Sequence, residues 1–136
     1  MTPEQKARET IDDLLVQAGW VVQDKDEFNR NASLGVAVRE FQLMSGPCDY
    51  LLFVDGKAAG VLEAKKEGTT LSGVSDQSLI YVKNIPDHIS RWDDLLYYHY
   101  ESTGSETLFC CLRDPKPRSR HVFAFHRPET LLDWLK

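Results

Sequence analysis

The segment GPCDYLLFVDGKAAGVLEAKKEG, residues 46–68, predicts the centre of the fold. Two apolar runs, 50–54 and 58–62, flank an Asp-Gly pair, which is typical of a β-hairpin. Both runs are apolar at successive positions rather than alternating ones, as expected for strands that are covered on both faces. The segment therefore predicts two buried neighbouring strands in the middle of a sheet.

Charged residues stand at the ends of these strands that lie away from the turn. Asp49 precedes the first strand, and Glu63 and Lys65 follow the second. With a three-residue turn at 55–57, Asp49 would lie opposite Glu63, and Lys65 would share their face because side chains alternate along a strand. A two-residue turn would instead send Asp49 and Glu63 to opposite faces. We favour the three-residue turn and expect all three side chains on one face.

Two carboxylates this close repel each other unless a cation neutralises them. Oxygen ligands suit Mg²⁺, which one or two carboxylates hold while it keeps several waters. Such an ion activates water for attack on a phosphodiester, and Lys65 would orient that water or stabilise the transition state. The pattern thus favours metal-assisted phosphodiester hydrolysis. A plainer interpretation stays open, in which these are solvated charges at hairpin ends and Lys65 pairs with Glu63.

The first residues predict an α-helix with defined ends. Thr2 is suited to cap it, Pro3 to begin it and Gln5 to complete a capping box, and Gly19 is suited to end it. Further along, the pattern predicts strands at 20–22, 36–43, 95–100, 107–112 and 122–125, a helix that begins near Ser75 and ends before Pro86, and a last helix from Pro128. The apolar residues of that last helix are expected to need a covering surface from another domain: Leu131, Leu132, Trp134 and Leu135.

Size and charge limit the functions that fit. A chain of 136 residues with 42% hydrophobic composition predicts one domain, and its net charge of −5 argues against a free-standing, tight, non-specific DNA binder. DNA remains possible as a substrate. A basic cluster predicts either a solvated loop or a phosphate-contacting surface: Arg113, Lys116, Arg118, Arg120 and Arg127.

Cysteine usage and hydropathy bear on metal and location. Three cysteines, two of them adjacent, make a poor disulfide framework and fit a reducing compartment. Cys110, Cys111, His121 and His126 lack the C-x₂-C spacing typical of a zinc site, so zinc is not predicted. No apolar run is long enough to predict a transmembrane helix, and the N-terminus lacks a signal-peptide layout. We expect a cytoplasmic protein with no membrane partner.

With these residues in view, the sequence resembles the PD-(D/E)XK nuclease superfamily, and more narrowly the N-terminal endonuclease domain of type I restriction enzyme R (restriction) subunits. The matching stretches are REFQLMSGPCDYLLFVDGKAAGVLEAKKEGTTLSGVSDQS (39–78), YYHYESTGSETLF (97–109) and RDPKPRSRHVFAFHRPETL (113–131). The resemblance implies a restriction-endonuclease-like α/β core, with a mixed central β-sheet flanked by helices.

The resemblance also implies roles for individual residues. Asp49 and Glu63 become Mg²⁺ ligands, with Mn²⁺ as an alternative ion, the main-chain carbonyl of Ala64 becomes a third ligand, and Lys65 becomes the catalytic lysine. Pro47 matches the proline of the motif, although Cys48 separates it from Asp49.

Two further positions follow from the resemblance. Gln77 and Tyr81 match a Gln-x-x-x-Tyr motif whose residues orient the site or touch DNA; a solvent-facing glutamine and a core tyrosine remain the alternative. Some superfamily members add a carboxylate from the first helix, and Glu4 is the better candidate here because it falls on the side of Ile11 and Leu15. A simple interaction of Glu4 with the helix dipole is the alternative.

Type I R subunits carry an ATP-dependent DNA translocase after the nuclease. Gly68 and Gly73 have the glycine spacing of a phosphate-binding loop, but Val74 stands where the lysine should be. We therefore expect residues 1–136 to be one nuclease domain from the N-terminus of a longer subunit, with ATP needed only by the absent motor. The implied partners are double-stranded DNA, the translocase domain of the same subunit, and the specificity and methylation subunits.

Two alternatives to a nuclease remain open. The first is a non-catalytic domain that keeps the nuclease fold and docks DNA or a partner subunit. The second is an unrelated phosphoesterase that acts on small substrates, which the lack of a His-rich ligand set makes less favoured.

Overall fold

The computed structural model describes residues 2–43, 46–71, 85–93 and 95–136. Within these residues the chain forms a seven-stranded mixed sheet and two α-helices, which confirms the predicted α/β class. The elements are α1 (Pro3–Gln17), β1 (Val21–Asp24), a 3₁₀ turn (Lys25–Glu27), β2 (Gly35–Arg39), β3 (Gln42–Leu43), β4 (Gly46–Pro47), β5 (Tyr50–Val54), β6 (Lys57–Ala64), β7 (Tyr98–Ser102), β8 (Thr107–Cys111), β9 (Arg120–Val122) and α2 (Pro128–Leu135). The helix predicted between Ser75 and Pro86 falls mostly outside the described residues.

The predicted hairpin lies at the centre of the sheet. The strand order is β1-β2-β5-β6-β7-β8-β9, while β3 and β4 form a separate two-stranded sheet. Strands β1 and β2 pair in parallel, as do β6 and β7, and the other neighbours are antiparallel. Every residue of β5 is buried, as expected for a strand covered on both faces.

The two faces of the sheet carry separate cores. On one, called the helix face here, Ile11 and Leu15 of α1 and Leu131 of α2 pack against the sheet. On the other, called the opposite face, Ile85, Ile89 and Leu96 pack against Val38, Leu51 and Val61. No helix among the described residues is long and apolar enough to cross a membrane.

Helix α1 has the ends that the sequence predicts. The Thr2 hydroxyl accepts a hydrogen bond from the Gln5 N–H at 3.2 Å, and the Gln5 side chain accepts one from the Thr2 N–H at 2.9 Å. Gly19 has φ +94°, the left-handed conformation that favours glycine after a helix. The capping box and the C-terminal glycine are therefore both confirmed.

The predicted three-residue turn of the hairpin is wrong. Val54 pairs with Lys57, so the turn contains only Asp55 and Gly56, whose φ angles of +52° and +79° are those of a tight hairpin turn. The register then shifts between Leu52 and Phe53, where Ala59 is the additional residue in β6. The short turn shifts the pairing register by one residue, and the bulge shifts it back. Tyr50 therefore pairs with Leu62, as it would have done with the longer turn.

The strand predicted at 36–43 is broken in two. Glu40, between β2 and β3, has φ +52°, and its N–H donates to the carbonyl of Asp49 at 2.8 Å. The turn carries Phe41 into the core of the opposite face, where Cys48 also lies. The segment 36–43 therefore forms two short strands, β2 and β3, because the turn at Glu40 separates them and places Phe41 in the core.

Later element boundaries also differ from prediction. The strand predicted at 95–100 begins at Tyr98 and runs to Ser102, because Leu96 enters the core of the opposite face and the polar end is buried. The strand predicted at 122–125 is Arg120–Val122, since Phe125 leaves the sheet and packs on Tyr100 in the helix-face core.

Helix α2 begins at Pro128 as predicted, but its apolar face needs no external cover. Leu131 and Leu135 are buried against the sheet, and Leu132 is half-buried beside the same core. Trp134 alone of the four predicted residues is exposed, at 44%. The expectation of an uncovered apolar face on this helix is therefore wrong for three of its residues.

Candidate functional site

The predicted acids lie at one end of the central hairpin. Because Tyr50 pairs with Leu62, the next position outward brings Asp49 to the level of Glu63. Asp49 precedes β5 and Glu63 lies near the end of β6, next to the parallel strand β7, where it is level with Glu101. We call this end of the sheet, with Asp49, Glu63 and Lys65, the carboxylate end.

Asp49 is held by two hydrogen-bond donors from different elements. Its Oδ2 accepts a hydrogen bond from the main-chain N–H of Ala64 at 2.8 Å. Its Oδ1 forms an ion pair with Nη2 of Arg8, which projects from α1. Nη1 of the same guanidinium donates to Glu40 Oε1 at 2.9 Å. The carboxylate thus joins α1, β6 and the turn after β2.

Glu63 and Lys65 form the second part of the carboxylate end. Lys65 Nζ lies 3.7 Å from Glu63 Oε2, while His99 Nε2 lies 3.7 Å from Glu63 Oε1. The Glu63 side chain is 14% exposed, that of Lys65 is 42% exposed, and His99 is buried in β7. Glu63 is therefore bracketed by a solvent-accessible ammonium and a buried imidazole.

The two acids also act together on Cys48. Burial, with smaller contributions from the negative charges of Asp49 and Glu63, raises the pKa of the Cys48 thiol to about 12. Cys48 therefore stays protonated at neutral pH and is a packing residue under the two acids.

Arg8 is the cation closest to Asp49. Burial alone would lower the pKa of this guanidinium, but the charges of Asp49 and Glu40 outweigh burial and raise it. A permanently charged group therefore faces Asp49. In this arrangement the guanidinium neutralises the neighbouring carboxylates of Asp49 and Glu40.

A second polar network fixes α1 against the start of β5. The Tyr50 hydroxyl donates to Asp12 Oδ1 at 2.6 Å, and Arg39 Nη1 donates to Asp12 Oδ2 at 2.9 Å. Burial and the bond to Asp12 raise the pKa of the Tyr50 hydroxyl, so it remains a donor. Asp12 lies one helical turn beyond Arg8, and the two residues dock α1 on the carboxylate end.

The structure brings only some of the predicted site residues together. Glu63 and Lys65 are in contact, whereas Asp49 turns toward the N–H of Ala64 and toward α1. The carbonyl of Ala64 points to the same strand edge as its N–H, on the Asp49 side. Gln77 and Tyr81 lie outside the described residues.

Glu4 is exposed in the first turn of α1. Arg8, one turn further along, is the residue of this helix that reaches Asp49. A cavity of about 640 Å³ next to Arg8 is lined by Glu9 and Asp12 from the same helix. Glu9, rather than Glu4, is thus the glutamate of α1 that lines this cavity.

The donors at the carboxylate end are oxygens of the type that Mg²⁺ prefers, from Asp49, Glu63 and the Ala64 carbonyl. A metal ion and Arg8 would compete for Oδ1 of Asp49. Within the described parts of the chain, no three or more His, Cys, Asp or Glu side chains are grouped so that they could hold a metal ion. The oxygen atoms present therefore suit Mg²⁺ by their chemical type, and binding of the ion would require Arg8 to move away from Asp49.

Sequence reasoning missed Arg8 and His99. Arg8 lies three residues before Ile11 and seven before Leu15, so its place on the buried side of α1 was readable from helical spacing. His99 alternates with Tyr98 and Tyr100 on a buried strand, where only the parallel pairing of β6 and β7 brings it to Glu63. No local pattern encodes that pairing.

Comparison of this chain with protein-family models, with curated proteins and with solved structures finds no match.

Proposed function

We propose that this chain is a Mg²⁺-dependent endonuclease domain with a restriction-endonuclease-like fold, which hydrolyses DNA phosphodiester bonds within a type I restriction complex. The observation that carries the proposal is the bulged hairpin, since the additional Ala59 returns Asp49 and Glu63 to one level despite the short turn. Lys65 lies beside Glu63, two residues along, as a catalytic lysine would.

In the proposed reaction the chain's own groups hold the ion and orient the water. Asp49, Glu63 and the Ala64 carbonyl would bind Mg²⁺ or Mn²⁺, which supplies activation of water and neutralises charge on phosphate. Lys65 would orient the attacking water or stabilise the added negative charge of the transition state. Arg8 would leave Asp49 when the ion binds and could then contact the DNA phosphate.

The proposed partners follow from the same assignment. The substrate is double-stranded DNA, brought to the site by an ATP-dependent translocase in the same subunit and by specificity and methylation subunits. Delivery by such a motor would compensate for a net charge of −5, which by itself disfavours tight binding to phosphate.

A second function is a non-catalytic docking domain that keeps the nuclease fold. The Arg8–Asp49 ion pair favours it, because both oxygens of Asp49 already have partners within the chain. If Arg8 is a permanent substitute for a metal ion, the carboxylate end stabilises α1 on the sheet and performs no chemistry.

Isothermal titration of Mg²⁺ and Mn²⁺ separates these functions. We expect binding to the wild-type chain that is lost in Asp49→Ala/Glu63→Ala and kept in Asp13→Ala/Asp26→Ala, which removes two exposed acids of the same total charge. The titration is repeated with a short DNA duplex, because phosphate would complete the ion's ligand set. Absence of binding in both conditions would exclude the metal-dependent nuclease and leave the docking function.

A further inference from the structure

A cavity lies at the other end of the sheet, where β7 begins and β8 ends. Its volume is about 400 Å³, within the range that small ligands occupy. Its lining combines aromatic rings with charged groups: Tyr98, Phe109, Trp134, Arg113, Arg120 and Asp114. We call it the aromatic–arginine pocket.

The aromatic part of the pocket is a connected set of rings. The Trp134 ring centroid lies 6.3 Å from that of Tyr98 and 6.2 Å from that of Phe109. Tyr98 and Phe109 are buried, so their positions are fixed by the helix-face core, whereas Trp134 is 44% exposed. The pocket therefore offers a partly open indole on a rigid aromatic base, which suits the stacking of a flat ring.

Two guanidinium groups of the pocket lie over aromatic rings, one of them a pocket ring and the other the neighbouring Tyr97. Arg120 lies 5.8 Å from the centroid of the Phe109 ring, and Arg113 lies 5.2 Å from that of Tyr97. Arg113 also donates to the carbonyl of Trp134 at 2.8 Å, which ties the loop after β8 to the end of α2. Arginine held over an aromatic ring keeps donors available for a phosphate.

The charge of the surrounding segment has the sign that an anion needs. Residues 113–120 contain four basic residues and one acid, a net charge of +3 in a chain whose net charge is −5. Asp114 is the acid, and its carboxylate would accept a hydrogen bond from a sugar hydroxyl or a base amino group. Stacking surface, phosphate donors and a hydrogen-bond acceptor thus meet in one cavity.

This pocket is separate from the carboxylate end. Tyr98 pairs with Gly60, four positions along β6 from Ala64, which corresponds to roughly 13 Å at the rise of a β-strand. The rings of Tyr98 and Phe109 belong to the helix-face core, whereas Glu63 contacts His99 on the opposite face. Neither the metal nor the hydrolysis proposed above involves these residues.

We propose that the aromatic–arginine pocket binds a phosphorylated nucleoside, with the base on Trp134 and the phosphate on Arg113 and Arg120. A base paired in a duplex is already stacked on its neighbours and cannot enter a recessed pocket, so the ligand is unpaired. The same chemistry occurs in a free nucleotide and in the end of a single strand, and the experiment distinguishes them.

The test uses the indole N–H signals of the three tryptophans in ¹H–¹⁵N NMR spectra, recorded in EDTA so that no metal-dependent cleavage occurs. Trp20 and Trp92 donate to main-chain carbonyls and serve as internal references. Adenosine 5′-monophosphate is titrated to about 10 mM, beside adenosine and a 5′-phosphorylated deoxyadenosine trinucleotide. A selective shift of Trp134 with a Kd near or below about 1 mM is expected for both phosphorylated ligands.

Variants separate the pocket from general charge attraction. Arg120→Gln is expected to weaken binding about tenfold, whereas Arg118→Gln removes the same charge two residues earlier, outside the pocket, and should change it less than twofold. Trp134→Ala should also weaken binding about tenfold, monitored by amide signals, and Trp134→Phe should restore most of it.

Tighter binding of the trinucleotide than of the mononucleotide would identify a single strand as the ligand, and equal binding would identify a free nucleotide. A Trp134 signal that stays unmoved by both phosphorylated ligands would overturn the proposal. So would a shift by adenosine as large as that by its monophosphate, or equal losses in Arg118→Gln and Arg120→Gln.

Discussion

The two ends of the central sheet differ in how their charged side chains are partnered. At the carboxylate end, acids from the hairpin are matched by cations from the chain itself, as with Asp49 and Arg8 or Glu63 and Lys65. At the end with the aromatic–arginine pocket, Arg113 and Arg120 lie over aromatic rings. One end holds its charges in ion pairs, while the other presents cations on an apolar base.

This difference shows what each end can bind without rearrangement. A cation at the carboxylate end must displace a guanidinium before it reaches both acids, so binding is coupled to movement of a side chain from α1. An anion at the pocket meets donors whose stacking on rings leaves their hydrogen-bonding edges available. Binding at the carboxylate end therefore depends on a prior movement of Arg8, although the sequence motif points to this end first.

The largest effect should come from the strand pairing that both ends share. Gly60→Ala would place a Cβ 2.5 Å from the Tyr98 carbonyl oxygen and 2.8 Å from the Tyr98 Cβ, so we expect a loss of about 3 kcal/mol in the free energy of unfolding. Urea denaturation measures it. Gly68→Ala is the control: it adds only backbone strain, because φ is +88° and no atom lies within 4 Å of the new Cβ. Equal losses of stability would show that the strands at Tyr98 are less closely packed than described.

The next effect isolates the carboxylate end. Arg8→Met should reduce the free energy of unfolding by about 1–2 kcal/mol in EDTA, because Asp49 and Glu40 lose a shared cation. The same change should raise the affinity for Mg²⁺ severalfold, since the competitor for Asp49 is gone. Calorimetric titration compares it with Lys6→Met, which removes an exposed charge from the same helix. An unchanged or weaker affinity for Mg²⁺ would contradict competition between the ion and Arg8.

A smaller effect tests whether α1 positions that end. Thr2→Ala removes one half of the capping box and should cost about 1 kcal/mol, because the first turn of the helix loses its cap. Thr10→Ala, in the middle of the same helix, should be nearly neutral. If the nucleotide-induced shift of Trp134 changed in Thr2→Ala, the two ends would not be independent.

The smallest effect is a dependence of stability on pH at the pocket end. Burial, with a contribution from Arg120, lowers the pKa of His126 from its usual 6.5, so protonation favours the unfolded chain. The contribution of His126 to stability is therefore complete above pH 6.5 and is lost as the pH falls below it. Urea midpoints at about pH 7.5 and 5.5 should differ less in His126→Gln than in wild type. Exposed His88→Gln is the control, and an identical difference in both variants would remove His126 as the cause.

Local signals predicted the parts of this fold that local interactions determine. The capping box of α1 and the central hairpin were readable because Thr2, Gln5 and the apolar runs act over a few residues. The bulge at Ala59 was not, since it depends on the backbone of Ala58, which bonds to Ser90 and Trp92 far along the chain. The polar end of β7 was not predicted, because a search for apolar residues cannot detect buried polar ones. Ser102 and Thr107 are buried there, with their hydroxyl oxygens 2.8 Å apart.

The candidate site was predictable to a similar extent. The pairing register brings Asp49 and Glu63 to one level as predicted, although through a turn of the wrong length. The direction of the Asp49 side chain was not predictable, because it is determined by Arg8 from a helix 41 residues earlier. Metal binding, cleavage and partners remain predictions from the resemblance and from the donor chemistry.

The bulge at Ala59 has a consequence for changes in chain length. Turn and bulge together determine which residues of the hairpin face each other, so one residue inserted after Gly56 would move Asp49 out of step with Glu63. Deletion of Ala59 alone would do the same in the other direction. Made together, the two changes would cancel, which means that this hairpin can exchange a tight turn for a longer one only through a paired insertion and deletion.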